Sequence, residues 1–144
     1  MMTSQEEYPN PMLYAVGVER LIDANLNRLK EGIRVIEDIC RYLHNDAELS
    51  HRFKLLRHSL QSAYDRDRLT HRDIESDVQK ISIESEQLRG SIEDLMVANF
   101  SRAQESSRVL EEVFKLKNIP LSEQFKATRY ELYGLEKQYF QRFA

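Results

Sequence analysis

The chain carries an internal repeat, and no other feature constrains its fold as much. Residues 24–38 read A-N-L-N-R-L-K-E-G-I-R-V-I-E-D, and residues 98–112 read A-N-F-S-R-A-Q-E-S-S-R-V-L-E-E. Seven of these fifteen positions are identical, where average composition would give roughly one. A second echo follows the first. Phe53, Lys54 and Arg57 match Phe125, Lys126 and Arg129 in the pattern F-K-x-x-R, with Leu60 matching Leu132. The offsets are 74 and 72 residues, so the 144-residue chain divides into two related halves, about 14–68 and about 84–143.

Apolar spacing makes each half a helical hairpin. Ile22, Leu26, Leu29, Ile33, Ile36, Cys40 and Leu43 follow steps of 4-3-4-3-4-3, one stripe on a helix. Pro11 marks its start and His44-Asn45-Asp46 its stop. A second helix begins near Asp46, an N-cap residue, and carries Leu49, Phe53, Leu56, Leu60 and Ala63 inward. The stripe is lost between about Leu69 and Ser82. A connection of that length invites a functional reading. A third helix is expected from about Glu84 to Lys117, with Leu88, Ile92, Leu95, Met96, Phe100, Ala103, Leu110 and Phe114 inward. Pro120 separates it from a fourth, capped by Ser122, that turns Phe125, Leu132, Leu135 and Tyr139 inward. Two hairpins that each expose an apolar stripe bury them against one another. The expected fold is all-α: a single domain over 1–144, a four-helix bundle built from two repeated hairpins with pseudo-twofold symmetry.

Composition narrows the function classes. Twenty-one Lys and Arg against 24 Asp and Glu leave a net charge of −3, which argues against a nucleic-acid binder. Cys40 is the only cysteine, so neither a disulfide framework nor a thiolate zinc site is available. No stretch approaches the roughly 20 apolar residues of a membrane span. The polar, acidic N-terminus is no secretory signal, and a cytoplasmic protein is expected. Four widely spaced glycines cannot form a Walker loop or a dinucleotide turn. His44, His51, His58 and His71 show no H-E-x-x-H arrangement, and His51 and His58 project outward on the second helix. The aromatic last helix, with Tyr130, Tyr133, Tyr139, Phe140 and Phe143, serves as core or as the contact of a homodimer.

The repeat identities are mostly polar: Asn25/Asn99, Arg28/Arg102, Glu31/Glu105, Arg34/Arg108 and Glu37/Glu111. On a helical projection Asn25 lies beside the apolar stripe, with Arg28 and then Glu31 each about 60° further round. Two such ladders facing one cavity would offer two Arg forks and two amides, chemistry suited to a phosphorylated or polar heteroaromatic ligand. Asn25, Arg28, Glu31, Asn99, Arg102 and Glu105 are therefore candidate substrate-binding residues. Gly32, on the same side, would admit a ligand or another helix close to the backbone. The same Arg and Glu spacing also reads as surface ion pairs worth a few tenths of a kcal/mol. Arg34/Arg108 and Glu37/Glu111 project mostly toward solvent. In the 69–82 connection, Arg72 joins the candidate binding residues, and Asp73 and Asp77 are candidate catalytic residues. Two carboxylates at i, i+4 suit Mg²⁺ held against substrate phosphates; the alternative is that they cap turns.

These motifs resemble one family throughout. The runs R-L-I-D-A-N-L-N-R-L-K-E-G-I-R-V-I-E-D at 20–38, L-R-H at 56–58, R-D-x-x-x-D-V at 72–78 and the second block at 98–112 are similar to one particular helical domain. It is fused ahead of the barrel in some bacterial thiamine-phosphate synthases and is sometimes encoded alone, an alternative hydroxymethylpyrimidine phosphate kinase. The resemblance covers about residues 14–142. It implies phosphorylation of hydroxymethylpyrimidine phosphate to its diphosphate with ATP and Mg²⁺, and a possible thiamine-phosphate synthase as partner. Ile74 and Gln79 stand where the family pattern has Thr and Gly. The chain has no βα alternation and falls well short of the roughly 250 residues of a synthase barrel, so the synthase reaction itself is not expected. The alternative is a non-catalytic module that binds a pyrimidine phosphate or docks on a separate synthase.

Overall fold

The computed structural model describes residues 11–80 and 88–143, all helices and connections with no strand among them. Helix α1 (Pro11–Asp38) buries Ile22, Leu26, Leu29, Ile33 and Ile36 along the expected stripe. Its last turn departs from that stripe. Ile39–Leu43 forms a π-helical turn, closed by bonds from His44 N to Ile39 O and Asp46 N to Cys40 O. A π turn holds more residues than an α turn, so the 4-3 register slips. Cys40 remains buried while Leu43, expected inward, is exposed. Asn45 then takes a left-handed conformation (φ 49°) that reverses the chain, a role Asn tolerates better than most residues.

Helix α2 (Ala47–Ser59) starts where the sequence placed it, with the Asp46 carboxylate accepting from Leu49 N at 2.9 Å. It buries Leu49, Phe53 and Leu56, and a 3₁₀ turn continues the stripe through Leu60 and Ala63. A further 3₁₀ turn, Arg66–His71, heads the segment expected to be an unpatterned connection.

Helix α3 (Ile92–Phe114) begins later than expected. Ser91 is its N-cap, accepting from Asp94 N, and Leu88 and Ile92 are exposed rather than inward. The expected start at Glu84 lies outside the described residues. Met96, Phe100, Ala103, Leu110 and Phe114 form the buried stripe. Helix α4 (Ile119–Phe143) is capped by Asn118, whose side chain accepts from Leu121 N, and not by Ser122. Pro120 sits inside its first turn, where no backbone N–H is needed. Ser122 is instead buried, donating to Glu111 O at 2.7 Å.

Helix α1 packs on α2 and α3, and α3 packs on α4. One core cluster spans all four, with Phe53, Phe100, Phe114, Phe125 and Tyr139 at its centre. No helix among the described residues is long and apolar enough to cross a membrane.

The repeat residues make matching contacts. Asn25 and Asn99 each donate to the carbonyl four residues back, both at 2.9 Å. Arg57 grips Glu37 with two nitrogens, Nε on Oε1 and Nη2 on Oε2, and Arg129 holds Glu111 by Nη2 alone, which donates to both carboxylate oxygens. Glu37 and Glu111 are accordingly 3% and 4% exposed, which corrects the solvent-side projection. That projection placed a single core beside the helix, whereas the second helix of each half covers another face and brings its own arginine.

Candidate functional site

Gly32 sets the distance between α1 and α3. A Cβ there would stand 3.3 Å from Asn99 O and 3.5 Å from the Ala103 Cβ, so the two backbones meet at this point. The position is the repeat counterpart of Ser106, which is buried with its hydroxyl donating to Arg102 O. Beside this contact lies a cleft of about 600 Å³. Asn25 and Arg28 of α1 line it, with Arg102, Glu105 and Ser106 of α3 and Gln79 from the connecting segment.

Seven of the fourteen arginines have an acid at ion-pair distance among the described residues. Arg34, Arg57, Arg68, Arg72, Arg108, Arg129 and Arg142 all form ion pairs. Arg28 and Arg102, repeat counterparts on the cleft wall, have no carboxylate within ion-pair distance among the described residues. Both are solvent-accessible. Asn25 is 5% exposed and its Nδ2 donates one hydrogen to Leu21 O, which leaves Oδ1 and the second N–H for a ligand.

The remaining expected residues divide. Glu105 lines the cleft but is not ion-paired to Arg102. Asn99 is half-buried and is not part of the lining. Glu31 is exposed and off the cleft, and its charge is felt at Arg72. Arg72 closes a bidentate pair on Asp23, both bonds 2.8 Å, across 49 residues of chain. Those hydrogen bonds hold its guanidinium still more firmly protonated than usual. One helical turn earlier on each side, Arg68 binds Glu19 at 2.7 Å. Two ion pairs thus fasten the head of the connection along α1.

The Asp73 carboxylate accepts from the side chain and backbone N–H of Ser76 and from Glu75 N. These bonds, that of the Ser76 hydroxyl foremost, hold its pKa below the usual carboxylate value. Asp77 Oδ1 accepts from Gln79 N at 2.9 Å. Both aspartates therefore shape the loop that brings Gln79 to the cleft. No group of three or more His, Cys, Asp or Glu side chains among the described residues is arranged to hold a metal ion. Mg²⁺ held against phosphates needs only one or two carboxylates, and Glu105 is the carboxylate in the lining.

Sequence reasoning missed Gln79, Arg89 and Ser106 as lining residues. Ser106 was legible in principle as the counterpart of Gly32. Arg89 carried no signal, because it precedes the helix start.

A model of the ThiD2 family matches residues 20–138. The chain is 40% identical over 121 residues to a protein named thiamine-phosphate synthase from Thermosynechococcus vestitus, covering 83% of this chain and 34% of that protein. It is 37% identical over 134 residues to the protein of that name from Nostoc punctiforme, covering 92% and 37%. The protein of that name from Parasynechococcus marenigrum is 41% identical over 124 residues, covering 83% and 34%. The chain thus spans about a third of the length of these curated relatives. No solved structure matches it.

Proposed function

The chain belongs to the ThiD2 family, and from that premise we propose that it acts in thiamine biosynthesis, phosphorylating hydroxymethylpyrimidine phosphate to the diphosphate with ATP. The observation that carries this reading is the pair Arg28 and Arg102, two guanidinium groups that line one cleft and have no carboxylate within ion-pair distance among the described residues. We also read the cleft as lying near a pseudo-twofold axis that relates the hairpin α1–α2 to α3–α4 and carries Arg28 onto Arg102.

The chemistry asks for little else. The nucleophile is an oxygen of a phosphate monoester, whose second pKa is about 6, so it is already ionised at neutral pH. No side-chain base is required to activate it. The obstacle is bringing two phosphate anions together, and guanidinium forks lower it by neutralising charge and fixing the in-line geometry. Arg28 and Arg102 hold the two phosphates in this scheme. Asn25 Oδ1 accepts from the exocyclic amine of the pyrimidine, and Asp77 positions Gln79 at the cleft edge. When bound, Mg²⁺ adds charge neutralisation on the phosphate oxygens, with Glu105 as the side chain to hold it.

The test is ADP and diphosphate formation from ATP and the pyrimidine monophosphate, with and without Mg²⁺. Turnover should need both substrates and fall about 100-fold in Arg28→Ala or Arg102→Ala, with the helical signal unchanged. Normal turnover in both variants would refute the site. A second reading, a binding module that partners a thiamine-phosphate synthase, is favoured by the engagement of Asp73 and Asp77 with their own loop. It would be preferred if the pyrimidine phosphate bound without any turnover.

A further inference from the structure

The corner between α1 and α2 holds a second pocket, of about 400 Å³, to which the proposed function gives no role. Arg41 from the π turn, Asn45 from the reversal, and Ser50, His51 and Lys54 from α2 line it, with Glu37 and Asp46 at its base. Both carboxylates are already matched. Glu37 is gripped by Arg57, and Asp46 accepts from Leu49 N and from Arg142. The first-turn N–H of Leu49 is therefore occupied, and any ligand must be held by side chains. Arg41 lies over the Tyr42 ring at 4.9 Å, and neither it nor Lys54 or His51 has a carboxylate within ion-pair distance among the described residues. Two fixed cations, an imidazole and the Asn45 amide thus border a pocket with no unmatched anion.

The second half of the chain supplies a comparison. A pocket of about 260 Å³ occupies the corresponding place, where Glu111, Lys115, Ser122, Glu123 and Lys126 succeed Glu37, Arg41, Ser50, His51 and Lys54. There Lys115 is paired with Glu112 at 2.7 Å, and Glu123 puts an acid where His51 stands. Arg108 and Arg129 line this second pocket as well, each paired with Glu111. Three of its four cations are thus ion-paired, whereas neither Arg41 nor Lys54 of the first pocket has such a partner among the described residues.

We propose that the pocket bordered by Arg41, His51 and Lys54 is a binding site for a small phosphate-bearing anion, a free diphosphate group fitting its charge. Guanidinium and ammonium groups on neighbouring walls provide a fork and a point charge, the usual combination for such groups. The site is separate from the Arg28/Arg102 cleft and does not depend on it.

Titration of the isotopically labelled full chain with inorganic diphosphate, at ionic strength held constant with chloride, tests this by backbone amide shifts. Amides of Ser50, His51 and Lys54 should shift saturably. The midpoint should rise about tenfold in Arg41→Met and in Lys54→Met, both exposed positions, and stay unchanged in Lys126→Met. Absence of saturable shifts, shifts that chloride reproduces, or equal response in Lys54→Met and Lys126→Met would each overturn the proposal. Cleft amides near Arg28 and Arg102 are read in the same spectra, so the two sites are scored separately.

Discussion

Replacing Arg57 by Met isolates the buried carboxylate of the first half. Arg57 Nε meets Glu37 Oε1 at 2.8 Å and its second nitrogen meets Oε2 at 3.2 Å, with side-chain exposures of 15% and 4%. Met keeps most of the aliphatic stem while both charged hydrogen bonds are lost. Glu37 would retain only Arg34, 3.7 Å away on a half-exposed side chain. Removing one partner of a fully buried pair costs about 3–5 kcal/mol. Because Arg34 can swing toward the orphaned carboxylate, about 2–3 kcal/mol is expected. With roughly 3–4 °C per kcal/mol at this chain length, Tm should fall by about 6–12 °C. Urea unfolding followed by far-UV circular dichroism measures the change directly. The double variant Glu37→Gln/Arg57→Met should recover at least about 1 kcal/mol of the summed single losses, since the two side chains touch. Arg34→Met should cost no more than about 0.5 kcal/mol. A loss below about 0.5 kcal/mol in Arg57→Met, with no coupling to Glu37, would refute the claim that this pair is buried and matched.

Other outcomes follow from the same structure. Burial pushes the Cys40 thiol up to about 12, so a disulfide reagent at pH 8 should label the folded chain slowly and the urea-unfolded chain rapidly; free-thiol rates in the folded state would contradict this. Burial would raise the carboxyls of Asp46 and Glu19, but hydrogen bonds from Leu49 N and Arg142, and from Lys117 and Arg68, outweigh it and leave both below their ordinary values of 3.8 and 4.5. Their stabilisation is thus complete above those ordinary values and lost as pH falls through the lowered ones. Urea midpoints should be level from neutral pH to about pH 5, drop below about 4.5, and drop less steeply in Asp46→Asn. Gly32→Val should destabilise by about 1–3 kcal/mol through overpacking against the Asn99 carbonyl. In Gly17→Val the added Cβ meets nothing within 4 Å, so the variant should unfold within about 0.5 kcal/mol of wild type; equal losses at the two glycines would deny a close α1–α3 contact.

Local patterns were readable wherever the physics is local. The 4-3 stripe in α1 and α2 identified the residues that are buried there, and Asp46 was recognisable as a cap because capping involves only the next three residues. The start of α3 was misread because Leu88 and Ile92 extend the apolar spacing backward, while Ser91, with its side chain on Asp94 N, stops the helix. Spacing alone does not weigh a cap against two apolar residues.

The apolar spacing, read from the sequence by itself, determined that the chain is helical, and the repeat that Arg28 has a counterpart in Arg102. Only the tertiary structure decided which charges would be matched. Glu37 and Arg57 are both repeated, in separate segments, yet nothing in a one-dimensional pattern says that one grips the other. Asp23 and Arg72 lie 49 residues apart and meet because the connection folds back along α1. The difference is physical. Periodicity records one burial direction per helix, whereas an ion pair depends on where a second element lies. That arrangement engages Arg72 with Asp23 and leaves Arg28 and Arg102, which line a common cleft, without an acid at ion-pair distance among the described residues.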